Sequence, residues 1–181
     1  MIIENGVGGS NLAQVDELHR LSTFAIVESE DKFVNKTGGQ WSLYFTATPT
    51  GAGDYFFYLK NTDSVTHAIS DIRIMGAAAD TITYEWVTGT PTYTGATDVT
   101  PTTRNGGSNK VPVSIIKSDP NITGLTSDGV IFFERLDTAN KRYKLSTTSN
   151  IIMPQGSALA FKAATGTALI TCVVSYTNLD D

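Results

Sequence analysis

Apolar and polar residues alternate with a period of two along most of this chain, and no long 3.6-residue apolar stripe appears. In WSLYFTA, Trp41, Leu43, Phe45 and Ala47 share one face, and Ser42, Tyr44 and Thr46 share the other. In SDIRI, Ile72 and Ile74 alternate with Asp71 and Arg73, and in ITYEW, Ile82, Tyr84 and Trp86 alternate with Thr83 and Glu85. SALAFKA sets Leu159, Phe161 and Ala163 against Lys162. ALITCVVSY places Ala168, Ile170, Cys172, Val174 and Tyr176 on one face. A strand of this kind buries one side and wets the other, which is the antiparallel pattern.

Between these runs lie TPTGAGD, TDS, GAAAD, TPTYTGATD, TTRNGGSN, SDPN, TSDG, MPQG and ATGT. All combine residues that tolerate turn geometry or hydrogen-bond their own backbone. The pattern predicts about nine strands, near 18–28, 41–48, 54–61, 65–75, 81–88, 111–117, 129–136, 142–152 and a hairpin within 156–177. The stretch 89–110 is too long for a tight hairpin and reads as a surface excursion or a crossover between sheets. The predicted fold is all-β: a single antiparallel β-sandwich, immunoglobulin-like or jelly-roll-like, over residues 16–181. Residues 1–15 form an extended N-terminal arm in this reading, because Gly6, Gly8 and Gly9 separate Ile2 and Ile3 from the body.

At 181 residues one domain with an arm is the simplest organisation. The single cysteine, Cys172, allows no intrachain disulfide. Neither a signal peptide nor an apolar run of membrane-spanning length is visible, so a soluble, cytoplasmically folded chain is expected. The net charge of -5 and the scattered cations argue against nucleic acid, which demands clustered Lys and Arg.

Catalysis needs a nucleophile, a base and an orienting group. His19 and His67 sit in strand-like stretches without distinctive neighbours, and Cys172 lies on an apolar face where a thiol is inert. Asp71, Asp80, Glu85, Asp128 and Glu134 show no paired spacing and read as solvated carboxylates. RNGGSNK lacks the glycine spacing and terminal Lys-Ser/Thr of a phosphate loop. No His/Cys cluster has zinc spacing and no acidic loop has calcium spacing, so no enzyme, metal or cofactor is expected. Tyr84, Trp86 and Tyr93 are candidates for a carbohydrate-stacking platform, although the first two share the alternation of a core face.

The order of several motifs carries a resemblance. HRLSTFAIVES is followed by GGQWSLYF and YFFYLKNTDSVTHAISDIRI, then by the TGTPTYTGATDVTP loop with RNGGSNK, and finally by IIMPQGSALAFKAATGTALITCVVSYTN. Over roughly residues 16–178 the chain resembles head decoration (cement) proteins of tailed bacteriophages. The resemblance implies a structural virion protein, made in the host cytoplasm. It would form a homotrimer on the capsid surface and clamp adjacent major capsid subunits. In that setting Ile2, Ile3, Val7 and Leu12 would anchor the arm to the major capsid protein or a neighbouring copy. Related sandwiches in phage fibres and tails imply an alternative, a host-recognition module whose glycan-contact loop would hold Tyr93, Asp98 and Arg104.

Overall fold

The computed structural model describes residues 2–4, 12–15, 21–23, 39–108 and 110–179. The chain divides into two compact units, Met1–Phe33 and Val34–Asp181. In the first, β1 (Ile2–Glu4), β2 (Leu12–Val15) and β3 (Leu21–Thr23) pair antiparallel in the order β1-β2-β3, with Ile2 opposite Gln14 and Ala13 opposite Thr23. The segment read as an arm thus contains paired strands of three and four residues, too short for a period of two to register. Val7 and His19 lie outside the described residues, as does the rest of the strand expected at 18–28.

The second unit holds β4 (Gln40–Ala47), β5 (Tyr55–Asn61), β6 (Thr66–Gly76), β7 (Asp80–Thr92), β8 (Thr97–Asp98), β9 (Thr102–Thr103), β10 (Ser114–Leu136), β11 (Arg142–Met153), β12 (Ala158–Ala163) and β13 (Ile170–Leu179). Every pairing is antiparallel. One sheet runs β11-β6-β13-β4-β9 and the other β5-β12-β7-β10-β8, and they pack face to face as the expected sandwich. Phe45 of β4 stacks on Phe57 of β5 with ring centroids 4.3 Å apart, joining the two sheets. Trp41, Leu43, Ile72, Ile74, Val174 and Tyr176 fill the core from the first sheet, facing Leu59, Ile82, Tyr84 and Phe161 from the second. All but Leu59 are alternating residues of the runs quoted above.

Two turn expectations are corrected. SDPN and TSDG do not end strands, because β10 continues through both for 23 residues. At the first, Ser114–Ser118 and Ile122 pair with β5 and Thr123–Leu136 with β7, and Pro120, which has no N–H to give a ladder, lies in the register shift between Ser118 and Ile122. At the second, Asp128 is an extra residue between Ser127 and Gly129, a bulge. Since β12 also pairs with both β5 and β7, the four strands close on one another. A second, smaller core forms on the far side of this sheet, where Tyr58, Val87, Ile122, Ala158 and Ala160 are buried with Tyr55, Tyr93 and Leu125 against them. It needs small residues on β12, and Ala158 and Ala160 supply them. Gly89 and Gly124 make the tight crossing beside it: both have positive φ, and a Cβ on Gly89 would collide with the Gly124 carbonyl.

Candidate functional site

The excursion read from 89 starts only after Thr92, the end of β7; it is tied to the body by the pairings of β8 with β10 and β9 with β4, and by one carboxylate. Asp119 Oδ2 accepts from the Thr94 and Gly95 N–H groups (3.0 and 2.7 Å), and Oδ1 accepts from the Thr94 hydroxyl and the Asn121 N–H (both 2.8 Å). Burial opposes the charge on Asp119, but these donors outweigh it and hold the carboxyl below its ordinary range. The knot fixes Tyr93, which leans on the second core and walls a cavity of about 330 Å³ together with Tyr58, Lys60, Pro91, Ile115 and Lys117. Lys117 Nζ reaches Asp98 Oδ1 at 2.5 Å, across the pairing of β10 with β8.

Of the three residues offered as a glycan-contact loop, Tyr93 and Asp98 therefore converge around Lys117. Arg104 does not line this cavity; it follows β9, and its N–H donates to the Gln40 carbonyl at 2.9 Å. Sequence reading missed Tyr58, Lys60 and Lys117, since their approach to Tyr93 depends on the register of β10 with β5. Val111, Val113 and Ile115, alternating and exposed, form an apolar stripe that reaches the cavity. Of the arm residues, Ile2 and Ile3 lie in β1 and Leu12 in β2.

The Cys172 thiol is fully buried, which pushes its pKa far above the ordinary thiol value. Tyr84 and Trp86 fall on the core face, and Tyr84 is fully buried there. Two carboxylates read as solvated are buried instead: Asp80, and Glu85, whose Oε2 accepts from the Tyr55 hydroxyl at 2.6 Å and whose Oε1 lies 3.6 Å from Lys162 Nζ. Sheet closure covers Glu85, a long-range effect that strand alternation cannot anticipate.

His67 Nε2 lies 2.8 Å from Ser114 Oγ, a nucleophile–base spacing, but the imidazole is fully buried, where taking up a proton is costly. Burial lowers the His67 pKa below 6.5, against opposing effects of Asp63 and Asn178. The unfolded chain thus takes up a proton that the folded chain refuses. Stability is full above pH 6.5 and falls as the pH drops towards the folded-state pKa. Urea midpoints at pH 7.5 and 5.5 are expected to show this loss, and it should persist in His19→Gln; an unchanged midpoint would show that His67 charges freely when folded.

No protein family, curated protein or solved structure matches the chain. Among the described residues no group of three or more His, Cys, Asp or Glu side chains is placed to hold a metal ion, and no helix is long and apolar enough to cross a membrane. What the arrangement offers chemically is a tied loop, an aromatic cavity with two lysines, and exposed apolar residues leading into β10.

Proposed function

We propose that this chain is a structural protein of a tailed-phage particle that seats on the outside of the capsid and clamps adjacent major capsid subunits. The observation that carries the reading is the stripe of Val111, Val113 and Ile115, at 79, 56 and 43 % exposure, on a rigid sandwich. An exposed apolar row that leads from the segment before β10 into the start of that strand suits a broad contact with another protein. The order of motifs along the sequence supplies the kind of partner. The N-terminal segment adds a tether, with Ile2, Ile3 and Leu12 on short strands that belong to a compact unit of their own.

Deleting residues 1–14 tests this. Val34–Asp181 keeps its core, so its melting temperature should stay within a few degrees of the parent, while binding to matching capsid shells should weaken at least tenfold. Each buried isoleucine contributes about 1.5–3 kcal/mol, and several copies in one assembly multiply weak anchors. Undiminished binding by the truncated chain would place the contact on the sandwich alone. Microscopy of the decorated shells would show where it sits.

A second reading, a glycan-binding module of a fibre or tail, is favoured by the Tyr93 cavity. Lys60 at its rim has no ion-pair partner among the described residues and is free to meet an acidic sugar. Saccharide binding lost in Tyr93→Ala, with capsid binding absent, would select it.

A further inference from the structure

The edge of β10 that faces away from β7 is unpaired from Thr123 to Leu136 among the described residues, because β5 pairs only as far as Ile122 and β8 only with Lys117 and Ser118. A strand edge of this length offers a row of backbone donors and acceptors to a partner strand. Two large apolar side chains stand on it, Val130 at 57 % and Phe133 at 66 % exposure. Three apart, they would point to opposite faces of a regular strand. They share a face here because Ile131 is an extra residue: Val130 lies opposite Glu85 and Phe132 opposite Tyr84, so Phe133 lies opposite Thr83, on the same face as Glu85. Ile131 and Phe132 both pack towards the main core.

We propose that this edge pairs antiparallel with the same edge of a second copy, about a two-fold axis between Ile131 and Phe132. From Gly129 to Glu134 that register sets like faces against like. Val130 meets Phe133 of the other copy on the outer face, and Ile131 meets Phe132 on the core face. One step further along, Glu134 lies opposite Gly129, which carries no charge, and then Asp128 lies opposite Arg135, twice by symmetry. Moving the axis by half a residue in either direction puts a core-facing residue opposite an outward one. Asp128 is exposed and makes only a 3.3 Å hydrogen bond from the Thr88 hydroxyl, whereas Arg135 pairs with Asp137 at 2.7 Å, both highly exposed. Surface pairs of that kind exchange partners at little cost. Bulges often protect an edge from strangers. Here they make a strand that fits a copy of itself and little else.

The proposal does not rest on the capsid reading. If the threefold contact implied by the resemblance also exists elsewhere on the surface, the two together build six copies.

Sedimentation equilibrium of the full chain over a wide concentration range tests it, with the 19.4 kDa chain as the unit mass. Two or six copies are expected; a monomer throughout, or three copies and no more, overturns the proposal. Phe133→Lys should raise the two-fold dissociation constant at least tenfold without lowering the melting temperature of the separated chain, since the side chain is exposed. Asp128→Arg and Arg135→Asp should each weaken association several-fold. The double variant should return to within about threefold of the parent. If the double variant associates no better than the singles, Asp128 and Arg135 are not opposed and the register is wrong.

Discussion

Phe161→Ala is expected to cost about 3–5 kcal/mol, a large part of the stability of a domain this size. Phe161 sits on β12, which is hydrogen-bonded on both sides, and its ring lies 4.7 Å from Phe57 and 4.5 Å from the edge-on ring of Tyr84, with Phe56 and Phe45 beyond at 6.2 and 6.4 Å. Three of these rings belong to strands of the same closed sheet and the fourth to the opposite one. The surrounding backbone cannot close over the void without breaking a ladder, so the cavity term is kept in full. Urea denaturation should show the midpoint falling at an unchanged slope, and Phe161→Leu should lose clearly less. Phe133→Ala, exposed on the same sheet, should stay within about 0.5 kcal/mol when the chain is monomeric. A Phe161→Ala loss below 1 kcal/mol would mean that the core repacks freely.

Asp80→Ala is the second large effect. Oδ1 accepts from the Thr81 N–H at 2.7 Å, the Thr165 N–H at 2.8 Å and the Thr165 hydroxyl at 2.6 Å, and Oδ2 accepts from the Gly166 N–H at 3.1 Å. One carboxylate thus sews the turn after β12 to the start of β7. Each donor left unsatisfied in a buried place costs about 1–3 kcal/mol. The turn cannot swing out to find water, because Gly166 has positive φ and lies so close to the Gly51 carbonyl that a Cβ there would collide with it, and the Thr167 N–H is held by the Pro49 carbonyl at 2.9 Å. About 3 kcal/mol is the expected loss in a thermal melt. Asp80→Asn keeps one acceptor oxygen and should fall between the parent and the alanine variant. An alanine variant that melts with the parent would show that solvent reaches these donors.

Much of the fold was legible because strands that bury one face carry their own signature. Trp41, Leu43 and Phe45, or Ile170, Cys172 and Val174, could be assigned to a core without knowing what they touch. Legibility failed wherever burial came from a distant element. Ala160 and Glu85 sit on a face that alternation marks as wet, and only the closure of β10 onto β5 covers it. Pro120 and the TSDG tetrapeptide have turn chemistry, but the pairing of β7 and β5 on either side carries the strand past both. The candidate cavity was half legible for the same reason. Tyr93 and Asp98 are neighbours in a loop, whereas Lys60, Tyr58 and Lys117 meet them only through strand register.

The position of β13 has a consequence for how the chain is made. It lies in the middle of its sheet, between β6 and β4, with Ile170 opposite both Ala47 and Gly76. During synthesis at roughly 5–20 residues per second, β4 and β6 are therefore on the outside of the ribosome for many seconds with no strand between them. Their edges stay open until Thr177 and its neighbours emerge and slide in. The other sheet, complete once β12 is out, can form first and offer its Phe57–Phe161 surface as a template for that late insertion. The seam between β4 and β6 is thus sewn late, and translation speed over β13 becomes a lever on the yield of folded protein.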